Sequence, residues 1–162
     1  MASFEGLDAT CWSELEPHFQ KFLNVEIDSA PTLETWLLDL GRFDAYVGET
    51  GSMLYVNMTC DTENEDVKQA YLDFVETVEP ELAKMSDLLN RKLAESPYAN
   101  ELNQDEYNVL LRDTRMDLAL FREENIPLGT ELTKLGQRYI EICGAMMVEF
   151  DGEERTMQQM GK

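Results

Sequence analysis

A mainly α fold is predicted, about five helices in an antiparallel, bundle-like lobe with a small β-hairpin near residues 145–157, and three features predict it. Apolar residues recur at three- and four-residue spacing through most of the chain, as in helices with one buried face. Ser, Thr or Asn stands three residues ahead of Glu where several of these stripes begin, the spacing of a capping box. Strand-like alternation is confined to short stretches around residues 54–59 and 146–157. With 162 residues, 43% of them apolar, the chain is long enough to bury a core and is read as one domain over 1–162, without repeats, low-complexity tracts or internal linkers.

Trp12, Leu15, Phe19, Phe22 and Leu23 share a helical face, and Ser13 with Glu16 has capping-box spacing, so a first helix is expected over about residues 13–24, its start blurred by Pro17. Pro31-Thr32, with Glu34 in the first turn, opens a second, whose stripe is Leu33, Trp36, Leu37, Leu40, Phe43 and Val47. Gly48 and Gly51 weaken it. Leu54, Val56 and Met58 then alternate with Tyr55, Asn57 and Thr59, which leaves a short strand and a resumed helix both open.

Thr62 and Glu65 are placed to cap a third helix carrying Val67, Tyr71, Phe74, Val78, Leu82, Met85, Leu89 and Leu93. Pro80 should kink it or divide it in two, and Ser96-Pro97 ends it. Asn103 and Glu106 start a fourth, with Tyr107, Leu110, Leu111, Thr114, Leu118 and Phe121 on its apolar face, and Asn125-Ile126-Pro127 is read as its stop. From Leu128 the spacing resumes through Leu132, Leu135, Tyr139, Ile142 and Met146, with Gly144 placed as a left-handed C′ cap. Met146, Val148 and Phe150 alternate, Asp151-Gly152 suits a type I′ turn, and 153–157 returns as the second strand.

Thirty-three acidic against 13 basic residues give a net charge of −20, which repels phosphate backbones and anionic headgroups and argues against nucleic-acid and membrane-surface roles. Cys11, Cys60 and Cys143 are odd in number and far apart, so neither a disulfide framework nor a CxxC pair is expected. Residues 1–6 lack a basic leader region, and no apolar run approaches the ~18 residues of a membrane span. A cytoplasmic protein is expected.

The single histidine, His18, excludes the HExxH zinc motif, a His-rich zinc site and a di-iron bundle. Without an identifiable nucleophile beside it, His18 is read as a surface or half-buried helix residue. The acidic run Asp61-Thr62-Glu63-Asn64-Glu65-Asp66 fails as a calcium loop, because Asp66 falls where glycine is needed and Leu72 where the bidentate glutamate belongs; a helix N-terminus explains it better. Glu76, Glu79 and Glu81 are read as a solvated helix face. Gly48, Gly51, Gly129, Gly136 and Gly144 form no phosphate loop, and the aromatic and methionine stripes are assigned to core packing. The residues themselves thus suggest no catalytic, cofactor-binding or metal site.

Several segments resemble a known family. Leu33-Glu34-x-Trp36-Leu37-Leu38-Asp39-Leu40, then Leu54-Tyr55-Val56-x-x-Thr59-Cys60-Asp61-Thr62 and Tyr71-x-x-Phe74-Val75-Glu76-x-x-x-Pro80, are similar to the N-terminal region of oligoendopeptidase F-like zinc peptidases, relatives of thimet oligopeptidase. More specific are Leu120-Phe121-Arg122-Glu123-Glu124-Asn125-Ile126-Pro127-Leu128, Tyr139-Ile140-x-Ile142-x-Gly144-Ala145-Met146-Met147-Val148 and Phe150-Asp151-Gly152-Glu153-Glu154-x-Thr156, in that order. The resemblance runs from about Thr10 to Gln159.

It implies a larger, mostly helical enzyme that cleaves short peptides in a deep channel between two lobes. In that family an HExxH helix and a downstream glutamate bind zinc, C-terminal to the region matched, and none has a counterpart here. The expectation is a truncated, non-catalytic N-terminal lobe segment, inactive alone, with no cofactor of its own and the C-terminal catalytic region as its partner. The resemblance also favours helix over 44–60 and marks Arg122, Glu123 and Asn125 as lobe or channel contacts, beside the plainer reading of capping and surface pairing. A lobe lacking its partner should expose apolar patches beyond a few hundred Å². The alternative is a stand-alone acidic helical interaction module.

Overall fold

The computed structural model describes residues 4, 6–62 and 64–161, with backbone only at 158; Glu63 of the acidic run lies outside the described residues. In chain order the elements are α1 (Trp12–Asn24), α2 (Ala30–Cys60), α3 (Glu65–Thr77), α4 (Glu79–Glu95), a 3-10 turn (Ala99–Glu101), α5 (Gln104–Leu120), α6 (Asn125–Gly144), β1 (Met147–Phe150), β2 (Glu153–Thr156) and the single turn α7 (Met157–Met160). The fold is mainly α with a small antiparallel hairpin.

The first helix begins one residue earlier than its spacing suggests. Cys11 is its N-cap and offers no side-chain bond, so Ser13 is not the cap. Pro17 lies inside α1, at the cost of the bond its amide would make to the Ser13 carbonyl. Ser29 caps α2, its hydroxyl accepting from the Thr32 amide at 3.3 Å, with Pro31 in the first turn.

From there α2 runs unbroken for 31 residues, about 46 Å at 1.5 Å per residue, through Gly48, Gly51 and the alternating stretch. Leu54 and Met58, four residues apart, are the inward pair there, while Tyr55 and Val56 stay exposed, so 54–59 is helix and its period of two is incidental. Gly51 has a packing reason: a Cβ there would sit 3.0 Å from Cε1 of Phe74, so the glycine lets the α3 ring lie against the α2 backbone.

Asn64, not Thr62, caps α3, its side-chain oxygen accepting from the amides of Asp66 at 3.1 Å and Val67 at 3.5 Å. Pro80 divides the long third stripe as expected. α3 stops at Thr77, fully buried Val78 is the joint, and α4 restarts with the proline in its first turn, where no amide bond is lost. Ser96 ends α4 in an extended conformation before Pro97, and Asn103 caps α5 through the Asp105 amide.

Two expectations at the far end are corrected. Asn125-Ile126-Pro127 is the first turn of α6, not the stop of the helix before it: α5 has already ended at Leu120, and proline suits a first turn because amides there are free. Gly144 is the last helical residue and does not adopt the left-handed cap; Ala145 follows it in the right-handed region. In the hairpin Met147 pairs with Thr156 and Phe150 with Glu153, and Asp151 (φ 57°) and Gly152 (φ 78°) both take the positive φ that a type I′ turn requires.

The core is built by α1 to α5 around Phe43, which is fully buried and meets Phe19 edge-on at 4.9 Å and Phe22 at 5.8 Å. Leu15, Leu33, Trp36, Phe74, Val78, Leu89, Leu93 and Leu111 are among its other members. Hydrogen bonds between elements fix the register of the helices. Trp36 Nε1 donates to the Phe22 carbonyl at 3.0 Å, and Tyr107 Oη of α5 donates to Glu34 of α2 at 2.9 Å. The ammonium of Lys92 on α4 donates to the carbonyls of Phe22, Leu23 and Val25, closing the C-terminal end of α1. Burial lowers the pKa of this lysine.

Candidate functional site

Between α2 and the α3–α4 pair lies an open cleft of about 560 Å³. Its floor is apolar, formed by Phe19, Val47, Phe74, Leu82 and Leu89, with Gly48 and Gly51 keeping the α2 wall low. Polar groups gather at its mouth: Asp44, Ser52 and Tyr55 from α2, Glu79 and Ser86 from α4. Among the described residues no basic side chain lines it.

Both carboxylates reach solvent, yet the protein packed around them disfavours their charge. Asp44 is pushed up to about 6, and Glu79 is raised by the same desolvation. Tyr71 is buried beneath them; its pKa is raised first by that burial, then by the Glu79 charge and by Tyr55, against a hydrogen bond with Gln137. The Tyr55 and Tyr71 rings meet edge to face at 5.6 Å. An apolar floor, aromatic rings and two carboxylates without a cation suit an amine or amide-rich chain more than an anion.

Of the three glutamates read from the sequence as a solvated face, Glu76 pairs with Lys134 at 2.7 Å and Glu81 with Lys84 at 2.7 Å. Only Glu79 enters the cleft. Asp44 belongs to no motif, but its position is telling: it stands four residues after Leu40 and three before Val47, a carboxylate set into an apolar stripe. His18 is half-buried, its ring stacked on Phe43 at 5.3 Å and edge-on to Phe4 at 6.0 Å.

Arg122, Glu123 and Asn125 form the exposed turn from α5 to α6. Arg122 donates to the carbonyls of Ala119 and Phe121 at 3.1 and 2.6 Å, closing the end of α5, while the Arg122 and Glu123 carbonyls accept from the amides of Asn125 and Ile126.

The stripe of α6, expected in the core, faces outward. Leu128, Leu132, Leu135, Tyr139 and Ile142 are 58–71% exposed, and no residue of this helix is buried. Its inner side is mostly polar, with Thr130, Thr133, Lys134 and Gln137 half-buried. Lys134–Glu76 (2.7 Å) and Glu141–Lys68 (2.9 Å) tie it to α3.

Residues 8–121, from just before α1 to the residue that ends α5, match the family model described as peptidase M3 N-terminal domain. The chain belongs to that family. No curated protein and no solved structure matches it. In this peptidase M3 N-terminal domain, then, the matched part coincides with the helices that build the core, and α6, the hairpin and α7 lie beyond it.

Zinc, implied for the whole enzyme by the resemblance, finds no fitting donor set here. His18 is packed among aromatic rings, and no group of three His, Cys, Asp or Glu side chains among the described residues converges as metal ligands do. Among the described residues no helix is long and apolar enough to cross a membrane.

Proposed function

We propose that this M3 N-terminal domain is the non-catalytic lobe segment of a cytoplasmic zinc oligoendopeptidase, forming part of the wall of a deep channel that admits short peptides and supporting the catalytic half. The family match over residues 8–121 carries the reading. The cleft adds to it: with its acidic mouth and aromatic walls, Asp44 and Glu79 would meet the amino group or amides of a peptide. Arg122, Glu123 and Asn125 would brace the lobe where α5 passes into α6. Zinc and the water it activates would belong to the catalytic region, so the present chain supplies binding surface and shape only.

The test is the coding sequence downstream of Lys162 together with an assay. An in-frame HExxH, and cleavage of a quenched fluorescent peptide by the whole protein but not by the 162-residue chain with added zinc, are expected. A stop codon at that point, or hydrolysis by the chain alone, overturns the proposal. The outward apolar stripe of α6 on a chain of charge −20 favours a second reading, a stand-alone acidic interaction module, which a stop codon would support.

A further inference from the structure

We propose that the outward seam of α6 is the surface on which this domain receives a helix of the catalytic region, an apolar helix flanked by basic residues. The proposal rests on the peptidase reading above and names the contact that reading needs.

Three observations carry it. First, the polarity of α6 is inverted relative to its surroundings: its half-buried side is mostly Thr130, Thr133, Gln137 and ion-paired Lys134, with Ile126 and Cys143 at the two ends, while Leu128, Leu132, Leu135, Tyr139 and Ile142 turn to solvent. A helix that covers its own core does the opposite. Second, Leu128, Leu132, Leu135, Tyr139 and Ile142 are spaced by alternating steps of four and three, a 3.5-residue repeat. That is the narrow seam of knobs-into-holes packing against one other helix, about 21 Å long here, and not the broad stripe of a helix lying on a globular core.

Third, Gly129 and Gly136 are one heptad apart beside that seam. Neither has a positive φ, and a Cβ on either would meet nothing within 4 Å, so nothing among the described residues requires a glycine at either place. Glycine in a helix interior lowers its stability. Two of them along one edge of an apolar seam leave room for a partner backbone to come close. The charge decides between partners. Pairing two copies would bring together two chains of −20; beside the seam Glu131 and Arg138 offset each other, and in the adjoining hairpin Glu149, Asp151, Glu153 and Glu154 outnumber Arg155, so the complementary surface is apolar with a basic rim toward that end.

Amide hydrogen exchange of the 162-residue chain and of the whole HExxH-bearing protein tests this. Residues 128–142 should exchange at least about tenfold more slowly in the whole protein. The double variant Leu132→Glu, Tyr139→Glu, at two exposed positions, should leave the circular dichroism melt of the 162-residue chain unchanged while returning α6 in the whole protein to the fast exchange of the isolated chain. Equal exchange in both proteins, or protection that survives the double variant, overturns the proposal. So does a dimer of the 162-residue chain in light scattering that the double variant dissolves, because the seam would then belong to a second copy. Absence of HExxH downstream instead overturns the peptidase reading, a failure seen in the gene before any exchange is measured.

Discussion

Helices α2 and α6 carry apolar stripes, broad on α2 and narrow on α6, and dispose of them in opposite ways. Leu33, Trp36, Phe43 and Val47 of α2 are buried, and Leu37 and Leu40 half-buried, among α1, α3, α4 and α5; Leu128, Leu132, Leu135, Tyr139 and Ile142 of α6 face water. Periodicity states which side chains share a face. What meets that face is set by the rest of the chain, and for α6 the described residues supply a mostly polar bed and ion pairs on the opposite side. Solvent-screened pairs such as Lys134–Glu76 hold a helix far more weakly than a packed apolar face does.

The contrast can be broken by mutation, and the largest effect is expected at its centre. Phe43→Ala removes a fully buried ring and should cost about 3–5 kcal/mol in urea unfolding, whereas Leu132→Ala should stay within about 0.5 kcal/mol of the parent. A comparable loss at Leu132 would mean that α6 is packed in solution. Next come the glycines. Gly51→Val forces a branched side chain against the Phe74 ring and should destabilise by about 1–3 kcal/mol. Gly136→Ala, in open space, should instead stabilise by about 0.5–1 kcal/mol, and a shared sign for the two substitutions would remove the distinction between the packed and the open helix.

The smallest effect belongs to Asp44. Because its folded pKa, about 6, lies above the ordinary carboxylate value near 4, the folded state holds a proton through that window that the unfolded chain has released. Its unfavourable contribution is absent below about pH 4, grows as pH rises, and is complete above about pH 6. Asp44→Asn should therefore raise the melting temperature by about 1–2 °C at pH 7.5, kept small by the open mouth, and leave it unchanged at pH 4. A shift at pH 4 as large as that at pH 7.5 would assign the effect to packing and not to charge.

The helices themselves were legible because spacing reports which residues lie together: Val67 to Leu93 pointed to one stripe, and Pro80 to its division, where the structure indeed puts Val78 as the joint. Signals with two meanings were not. Asn125-Ile126-Pro127 ends one helix or opens the next with equal local logic, since an amide is dispensable in both places. Ser13 and Thr62 have capping-box spacing, but Cys11 and Asn64 hold the extended backbone that a cap requires. The cleft was hidden for a different reason: Asp44 and Glu79 are far apart in sequence, and only the packing of α2 on α3 and α4 makes neighbours of them.

The bond from Lys92 to the end of α1 has a consequence in time. It spans 70 residues to Phe22, so α1, made before α4, cannot be closed at its C-terminal end until α4 exists. At about 5–20 residues per second of synthesis, the carbonyls of Phe22, Leu23 and Val25 are left to water for about 4–14 s before their ammonium is made. The first helix of the chain is thus one of the later parts to be finished.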